Sequence, residues 1–245
     1  MVNERFRPGG TLEGTPPSMI VNMDEMAVHY EQTATTTIAS TNSSSVAIRG
    51  SGSNSQRLTA CITCAQDGTK LPLFLVFKAK PRGTIEKKLD KLLPLVVLAA
   101  PKKMDGCNPS SLLLLDEFKS HIQPVFGRQL SDLGTDLNII PGGYTSVLQP
   151  CDVGVNKPIK EAVRAQYDDW AAEKMATIPP DANVPVPKRE DIVPWIVRAW
   201  DGITEQSIRN TFASIGFGVE RIDTEPVDES DGEDEIEEVQ DSIRL

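Results

Sequence analysis

The 245-residue sequence has no apolar run long enough to cross a membrane, because its best candidate, residues 92–100, is short and is interrupted by Pro94. The first residues lack the apolar core of a secretory signal peptide. Only two histidines are present, and no second Cys-x-x-Cys accompanies Cys61 and Cys64. These absences disfavour a membrane protein, a secreted disulfide scaffold and a zinc-based fold. We therefore expect a cytosolic or nuclear location.

The two cysteines of the Cys-x-x-Cys motif lie in a strand-like run, residues 58–66. Positions i and i+3 of a strand point to opposite faces of a sheet. We expect one buried and one half-buried thiol here, rather than a metal-binding or redox pair.

The net charge of −10 comes from one end of the chain. From Asp223 onward there are eleven acidic residues and one basic residue, which leaves 24 of each sign in the remainder. A neutral body with local basic segments is compatible with a nucleic-acid partner. The acidic tail is too polar to fold alone, and it is a candidate contact for a protein partner.

Composition and periodicity divide the chain into five parts. They are a disordered lead-in (1–18), an α/β domain (19–177), a proline-rich linker (178–188), a C-terminal helical extension of the domain (189–218) and a disordered acidic tail (219–245).

Strands and helices alternate within the predicted domain. We expect strands at 19–22, 57–65, 71–78, 95–100, 112–115 and 137–140, with a further candidate in the threonine-rich residues 33–41. The Asp67-Gly68 pair predicts a hairpin between the second and third of these strands. Helical spacing covers 84–93, 119–133, 154–174, 189–200 and 204–215. This order predicts a ribonuclease H-like fold, with a mixed five-stranded sheet and flanking helices.

Three aspartates stand at positions suited to metal chemistry. Asp24 and Asp116 each follow an apolar run typical of a buried strand, and Asp152 opens a helical pattern. Carboxylates from distant segments that meet at the rim of a sheet can bind Mg²⁺ or Mn²⁺. The chemistry that such a site supports is phosphodiester cleavage or strand transfer. Taken singly, each aspartate is equally typical of a helix cap, a turn cap or a strand end.

Seven segments, in order along the chain, resemble the DDE domain of pogo/Tigger-type transposases. These belong to the mariner superfamily, and centromere protein B is a relative. The segments are Asn22-Met-Asp-Glu25, Arg49-Gly-Ser-Gly52, Thr59-Ala-Cys61, Asp67-Gly-Thr-Lys70, Leu112-Leu-Leu-Leu-Asp-Glu-Phe118, Ile140-Pro-Gly-Gly-Tyr-Thr-Ser146 and Leu148-Gln-Pro-Cys-Asp-Val-Gly-Val-Asn-Lys-Pro158.

The resemblance implies a metal-dependent DNA endonuclease or transposase with Asp24, Asp116 and Asp152 as catalytic and metal-binding residues. Asp116 and Asp152 have 35 residues between them, a spacing common in that superfamily. In a two-metal site Asp24 would bridge both ions, and Asp116 and Asp152 would each help to hold one. The implied partner is DNA, the implied location is the nucleus, and no small-molecule cofactor is implied.

Neighbouring polar residues leave alternatives open. Glu25 and Glu117 are candidates in place of the adjacent aspartates, but a strand neighbour points to the opposite face, so we favour the aspartates. Asn156 is a candidate oxygen ligand one turn after Asp152, and equally an ordinary polar helix residue.

Six basic residues are candidates for contact with a DNA backbone, and solvation at the surface is the simpler explanation for each. They are Arg49, Arg57, Lys78, Lys80, Lys157 and Lys160.

The sequence also departs from the family pattern. Only some twenty residues precede Asp24, where relatives carry helix-turn-helix DNA-binding modules, so we expect no sequence-specific recognition of transposon ends. Residues 101–109 stand where relatives carry an additional helix with a tryptophan. The loss of that helix would expose apolar surface on the sheet. Two hypotheses follow: a metal-dependent DNA-processing domain, or a truncated, relict or host-adopted binding protein with low or no activity.

Overall fold

The computed structural model describes residues 3–6, 10, 12–32, 56–78, 111–179, 182 and 185–217. Five strands form one mixed sheet in the spatial order β3-β2-β1-β4-β5. The strands are β1 (Ile20–His29), β2 (Arg57–Ala65), β3 (Phe74–Phe77), β4 (Ser111–Asp116) and β5 (Thr135–Ile140). Strands β1, β2 and β3 pair antiparallel, whereas β4 runs parallel to both β1 and β5.

The helices are α1 (Pro124–Asp132), α2 (Thr145–Leu148), α3 (Asn156–Met175), α4 (Arg189–Asp201) and α5 (Glu205–Ser214). A single π-helical turn, Cys151–Val155, leads directly into α3. The predicted mixed five-stranded sheet with flanking helices is confirmed, and this is the ribonuclease H-like arrangement. No helix within the described ranges is long and apolar enough to span a membrane.

Strand β4 forms the apolar centre of the sheet. Leu112, Leu114 and Leu115 are each at most 1% exposed, because β1 and β5 cover both edges of the strand and other elements cover its faces. Strand β1 alternates instead, with Met26 and Val28 buried and the residues between them exposed. This alternation continues β1 to His29, well beyond the predicted end at Asn22.

The face of the sheet that carries the even-numbered residues of β1 packs against α3. Ile159 and Val163 of α3 are buried in the same core as Met26 and Val28. Helix α4 covers α3 from the other side, where Trp195 packs edge-on against Tyr167. The long helix is therefore held between the sheet and the C-terminal helices.

The predicted hairpin is confirmed, and its turn contacts the C-terminal helices. Lys70 Nζ donates to three backbone carbonyls at the end of α4, those of Trp200, Asp201 and Ile203, each at 3.0 Å. Gly68 has φ +94°, and a Cβ there would lie 2.7 Å from the carbonyl oxygen of Glu205, so glycine is required on both counts. Thr204 caps α5 as predicted, accepting from the Ser207 amide at 3.1 Å.

Part of the predicted disordered lead-in belongs to the core. Leu12 is fully buried, and the ring of Phe6 packs edge-on against that of Phe217 at 6.1 Å. Arg5 pairs with Asp136 of β5 at 2.6 Å. The apolar contacts of two residues outweigh the Gly- and Pro-rich composition on which the expectation of disorder rested.

Helix α1 is shorter than predicted, because it begins at Pro124 rather than Lys119. Proline is favoured at the first position of a helix, where its missing N–H costs no hydrogen bond. The predicted elements at 33–41, 84–93 and 95–100, the loop at 101–109 and the acidic tail lie outside the described residues.

Helix α5 fixes the turn that carries Asp152. A Cβ added to Gly154 would lie 3.2 Å from Thr211 Cγ2 and closer still to the Thr211 hydroxyl. We expect Gly154→Ala to lower the free energy of unfolding by about 1–3 kcal/mol, the usual cost of overpacking.

Urea denaturation of the full chain measures this cost, and Thr211→Ala in the same background should recover part of it. The matched control is Gly127→Ala in α1, where a Cβ meets nothing within 4 Å. That control should be neutral or stabilising by up to about 1 kcal/mol. Additive effects of the Gly154 and Thr211 substitutions would contradict the proposed contact.

Candidate active site at β1, β4 and the start of α3

A buried asparagine joins the three segments that carry the aspartates. Asn22 is fully buried in β1, two residues before Asp24. Its Nδ2 donates to the Leu114 carbonyl of β4 at 2.9 Å, and its Oδ1 accepts from the Cys151 amide at 2.8 Å. Leu114 lies two residues before Asp116, and Cys151 lies one before Asp152. The side chain of Asn22 therefore sets the relative positions of all three aspartates through the backbone.

Asp24 and Asp152 meet at Asn156, the first residue of α3. The Asn156 Nδ2 group donates to Asp24 Oδ2 at 2.5 Å and to Asp152 Oδ1 at 2.9 Å. Asn156 is 4% exposed, and its Oδ1 is buried with no hydrogen-bond partner within the described ranges. One amide group thus bridges two carboxylates that would otherwise repel each other.

Asp116 bonds to a histidine instead. Its Oδ1 accepts from His121 Nδ1 at 2.7 Å, which requires the hydrogen on Nδ1. The other ring nitrogen, Nε2, lies 4.0 Å from Glu25 Oε1. His121 is buried and packs against the rings of Phe118 and Phe126. The imidazole is therefore fixed in place and orients the Asp116 carboxylate.

Glu117 has a separate contact, because its Oε2 accepts from the Gly142 amide at 2.9 Å. This bond ties the end of β4 to the loop after β5. Glu25 and Glu117 are both exposed, whereas Asp24 and Asp116 are partly buried, as expected for strand neighbours on opposite faces.

Burial raises the pKa of Asp24 above its ordinary value. The hydrogen bond from Asn156 acts in the opposite direction, and the charges of Asp152 and, more weakly, Asp116 raise the pKa further. The three aspartates therefore interact electrostatically. An ionised Asp24 is costly in this environment unless positive charge is supplied.

The Cys61 thiol near the site is neutral at physiological pH. Burial and the charges of Glu25 and Asp24 raise the pKa of Cys61 to about 11. Cys64 is fully buried and Cys61 half-buried, as their spacing in a strand predicted. A protonated thiol is a poor metal ligand, so oxygen donors dominate this region.

Within the described residues, no three His, Cys, Asp or Glu side chains are grouped so that together they could hold one metal ion. The donors present nevertheless fit a hard divalent cation. Two carboxylates share one polar group, and the partnerless amide oxygen of Asn156 is buried beside them. Carboxylate and amide oxygens are the ligands that Mg²⁺ and Mn²⁺ prefer. The catalytic assignment of Asp24, Asp116 and Asp152 stays a prediction.

A shallow groove of about 570 Å³ runs from Asp152 along α3. Its lining is Asp152, Asn156, Lys157, Lys160, Glu161 and Arg164. Two of the six predicted phosphate-binding residues, Lys157 and Lys160, therefore line the same groove as Asp152.

The other predicted basic residues lie elsewhere. Arg57 pairs with His29, five residues along β1 from Asp24 and so roughly 17 Å away. Lys78 is exposed and follows β3 directly. Arg49 and Lys80 lie outside the described residues.

Two residues of this site, Asn22 and His121, were not found from the sequence. Asn22 precedes Asp24 by two positions, which places both on one face of a strand, and this is the one local signal it offers. His121 follows Asp116 by five positions in an irregular segment, where no periodic pattern predicts a contact.

The mixed sheet and its flanking helices make a ribonuclease H-like fold. A family profile described as DDE superfamily endonuclease matches residues 98–212, which include Asp116, Asp152 and Asn156. The mouse protein "Pogo transposable element with KRAB domain" is 28% identical in an alignment of 206 positions that covers 78% of this chain and 34% of that protein. The chain thus spans about a third of the length of the curated relatives that it matches first.

Two solved structures share the fold. The "Mos1 transposase paired-end complex with left transposon end" has a TM-score of 0.50 at 14% identity, covering 81% of this chain and 52% of that one. The pre-cleavage Mos1 transpososome has a TM-score of 0.51 at 13% identity, covering 87% and 56%. Residues 98–212 thus match the DDE superfamily endonuclease profile, the sequence is similar to pogo transposable element proteins, and the fold is shared with the Mos1 transposase structures.

The raised pKa of Asp24 predicts a cost in stability at neutral pH. A carboxyl group whose pKa is higher in the folded state stabilises the fold when protonated, and this contribution is lost as the pH rises from about 4 through the folded pKa. We expect Asp24→Asn to raise the melting temperature at pH 7 in EDTA by about 2–4 °C, the shift that 1 kcal/mol gives in a domain of this size.

Thermal denaturation between pH 4 and pH 8 tests this prediction. The gain should grow with pH and level off near neutrality. Asp169→Asn, at an exposed position of α3, serves as the control and should leave the pH profile unchanged. A variant no more stable than the original protein at any pH would refute the electrostatic cost assigned to Asp24.

Proposed function

We propose that this domain binds DNA in the nucleus and cleaves or transfers its strands with Mg²⁺ or Mn²⁺. The observation that carries the proposal is the bridging of Asp24 and Asp152 by Asn156, next to Asp116, at the rim of a ribonuclease H-like sheet. When bound, the divalent ions would activate the attacking oxygen and stabilise charge on the departing one. The family whose profile matches the domain supports this chemistry.

The protein's own residues would divide the remaining work. Asp24, Asp152 and Asp116 would supply the carboxylate oxygens. His121 would hold Asp116 in one orientation, as hydrogen bonds to ligating carboxylates do in metal sites. Asn22 would keep the three segments in register.

DNA would reach this site along the groove of α3. Lys157 and Lys160 are exposed, and they follow Asp152 by five and eight positions, on the helix that its π-helical turn leads into. A phosphate backbone that passes over them would bring a phosphodiester to the carboxylates. The basic side chains of the groove lie next to the acidic side chain of Asp152. The basic side chains would bind the DNA phosphates, and metal cations would offset the repulsion between DNA and the acidic site.

The second candidate is a binding protein of transposase descent that does not cleave. The bond from His121 favours it, because Asp116 is bonded to His121 and no three His, Cys, Asp or Glu side chains among the described residues are grouped to hold one metal ion. Both candidates bind DNA, and cleavage separates them.

A plasmid-nicking assay tests the first candidate. We expect the full chain to convert supercoiled plasmid into nicked circles in Mn²⁺ or Mg²⁺ but not in EDTA. Asp116→Asn and Asp152→Asn should each slow this conversion at least ~100-fold, because metal-assisted charge stabilisation is worth several kcal/mol.

Asp132→Asn, at the exposed end of α1, is the control and should cleave like the original protein. Nicking that persists in the Asp116 and Asp152 variants would point to a contaminating nuclease and reject the assignment. DNA binding without nicking by the original chain would favour the second candidate.

Salt-dependent DNA binding tests the groove. Each phosphate contact contributes about 0.9 to the slope of log K against log salt concentration. We expect the double substitution Lys157→Gln and Lys160→Gln to reduce that slope by about two and to weaken binding at every salt concentration. Fluorescence anisotropy with a labelled duplex measures both quantities.

The control is Lys174→Gln, on the same helix and roughly 25 Å from Lys157 at 1.5 Å per residue. It removes the same kind of charge without touching the groove. If log K depends on salt concentration with the same slope in the double variant and in this control, DNA does not bind along the groove.

A further inference from the structure

The two ends of the buried Asn156 amide differ in their hydrogen bonding. Its Nδ2 group donates to two carboxylates, whereas its Oδ1 is buried without a hydrogen-bond partner within the described ranges. An unsatisfied buried acceptor costs about 1–3 kcal/mol. Such a cost at the centre of an acidic site calls for a functional explanation.

The position of the amide nitrogen points to that explanation. It lies 2.5 Å from one oxygen of Asp24 and 2.9 Å from one oxygen of Asp152, so it supplies positive charge where the two carboxylates converge. A cation drawn to the same two oxygens would be repelled by the amide hydrogens. Either Asn156 moves aside or it presents its other end.

A half-turn of the amide exchanges its nitrogen and its oxygen. The χ2 angle of asparagine has a broad distribution, so rotation of the amide does not cross the barriers that separate staggered rotamers. The turn breaks the two hydrogen bonds to the carboxylates, which a cation would replace. It breaks no hydrogen bond at Oδ1, because no group among the described residues donates to that atom. After the turn the oxygen faces the point shared by Asp24 and Asp152.

We propose that Asn156 is a ligand of the divalent cation. In the metal-free protein its nitrogen bridges Asp24 and Asp152, and after the half-turn its oxygen joins those carboxylates as a neutral third donor. This proposal deepens the proposed function and rests on it. Two carboxylates and one amide carry a charge of −2, which matches Mg²⁺ or Mn²⁺, and hard cations accept amide oxygen readily.

If Asn156 has only a structural role, its replacement should change the Mn²⁺ affinity in the opposite direction. If the amide only bridged the carboxylates, it would compete with the cation, and its removal would tighten metal binding. If it is a ligand, its removal weakens binding. The direction of the change in Mn²⁺ affinity therefore decides between the two roles.

The experiment measures Mn²⁺ affinity of the full chain from the electron paramagnetic resonance signal of free Mn²⁺. Asn156→Leu keeps a similar volume without polar atoms, and we expect it to weaken binding by roughly tenfold or more, the scale found when metal-site residues are lost. Asn156→Asp supplies an oxygen and a further charge, and it should bind at least as tightly as the original protein. Asn210→Leu, at an exposed position of α5, should bind like the original protein.

A second measurement uses the original protein, so it does not depend on whether an Asn156 variant folds. In the original protein, the side-chain amide resonances of Asn156 should shift on titration with Mg²⁺, together with the carboxyl resonances of Asp24 and Asp152. Carboxyl shifts with an unmoved amide would overturn the proposal. So would an Asn156→Leu protein that binds Mn²⁺ as tightly as the original or more tightly.

These measurements distinguish a wrong ligand role for Asn156 from a wrong proposed function. If the original chain binds Mn²⁺ and the leucine variant binds it equally well, Asn156 is not a ligand and the proposed function stands. If the original chain binds no Mn²⁺ with or without DNA, both fall. A chain that binds Mn²⁺ through Asn156 but nicks no plasmid keeps the ligand and loses the catalytic function.

Discussion

The arrangement of this site depends on the buried side chain of Asn22. Its amide satisfies a carbonyl of β4 and an amide of the π-helical turn, groups that lie one or two residues before Asp116 and Asp152. Acidic side chains repel one another, so they cannot hold such an arrangement themselves. Backbone hydrogen bonds to a neutral side chain do so at no electrostatic cost. Asp24 and Asp152 therefore meet at Asn156 because their backbones are fixed, before any cation is considered.

The supporting layers extend this constraint outward. The π-helical turn is wedged against Thr211 of α5 at Gly154, and α5 in turn contacts the β2–β3 turn at Gly68. Asn156 and His121 then supply donors to the carboxylates that the backbone has brought close. An acidic site of this kind reduces the stability of the metal-free fold, which is a common cost of function. The C-terminal helices are therefore part of the site's support and not an appendage.

Local patterns predicted much of the fold and little of the site's contacts. The apolar run of β4, the Asp67-Gly68 turn and the Thr204 cap are encoded in neighbouring residues, so the sequence alone indicates them. The burial of Leu12 and the bonds of Asn22 and His121 join residues far apart in the chain or in irregular segments. No periodicity records such contacts. The three aspartates stand out in the sequence because each follows an apolar run or opens a helical pattern, whereas their hydrogen-bond partners could be identified only in three dimensions.

The bond between His121 and Asp116 bears on both candidate functions. Taken alone, it commits one oxygen of Asp116 to His121, which favours a site that no longer binds metal. A carboxylate, however, has two oxygens with about four acceptor positions, and the Nδ1 hydrogen of His121 occupies one of them. Ligating carboxylates in metal sites are commonly held by a hydrogen bond of this kind. The contact therefore restricts the rotation of Asp116 without exhausting its capacity to bind a cation, and it does not by itself argue for a relict.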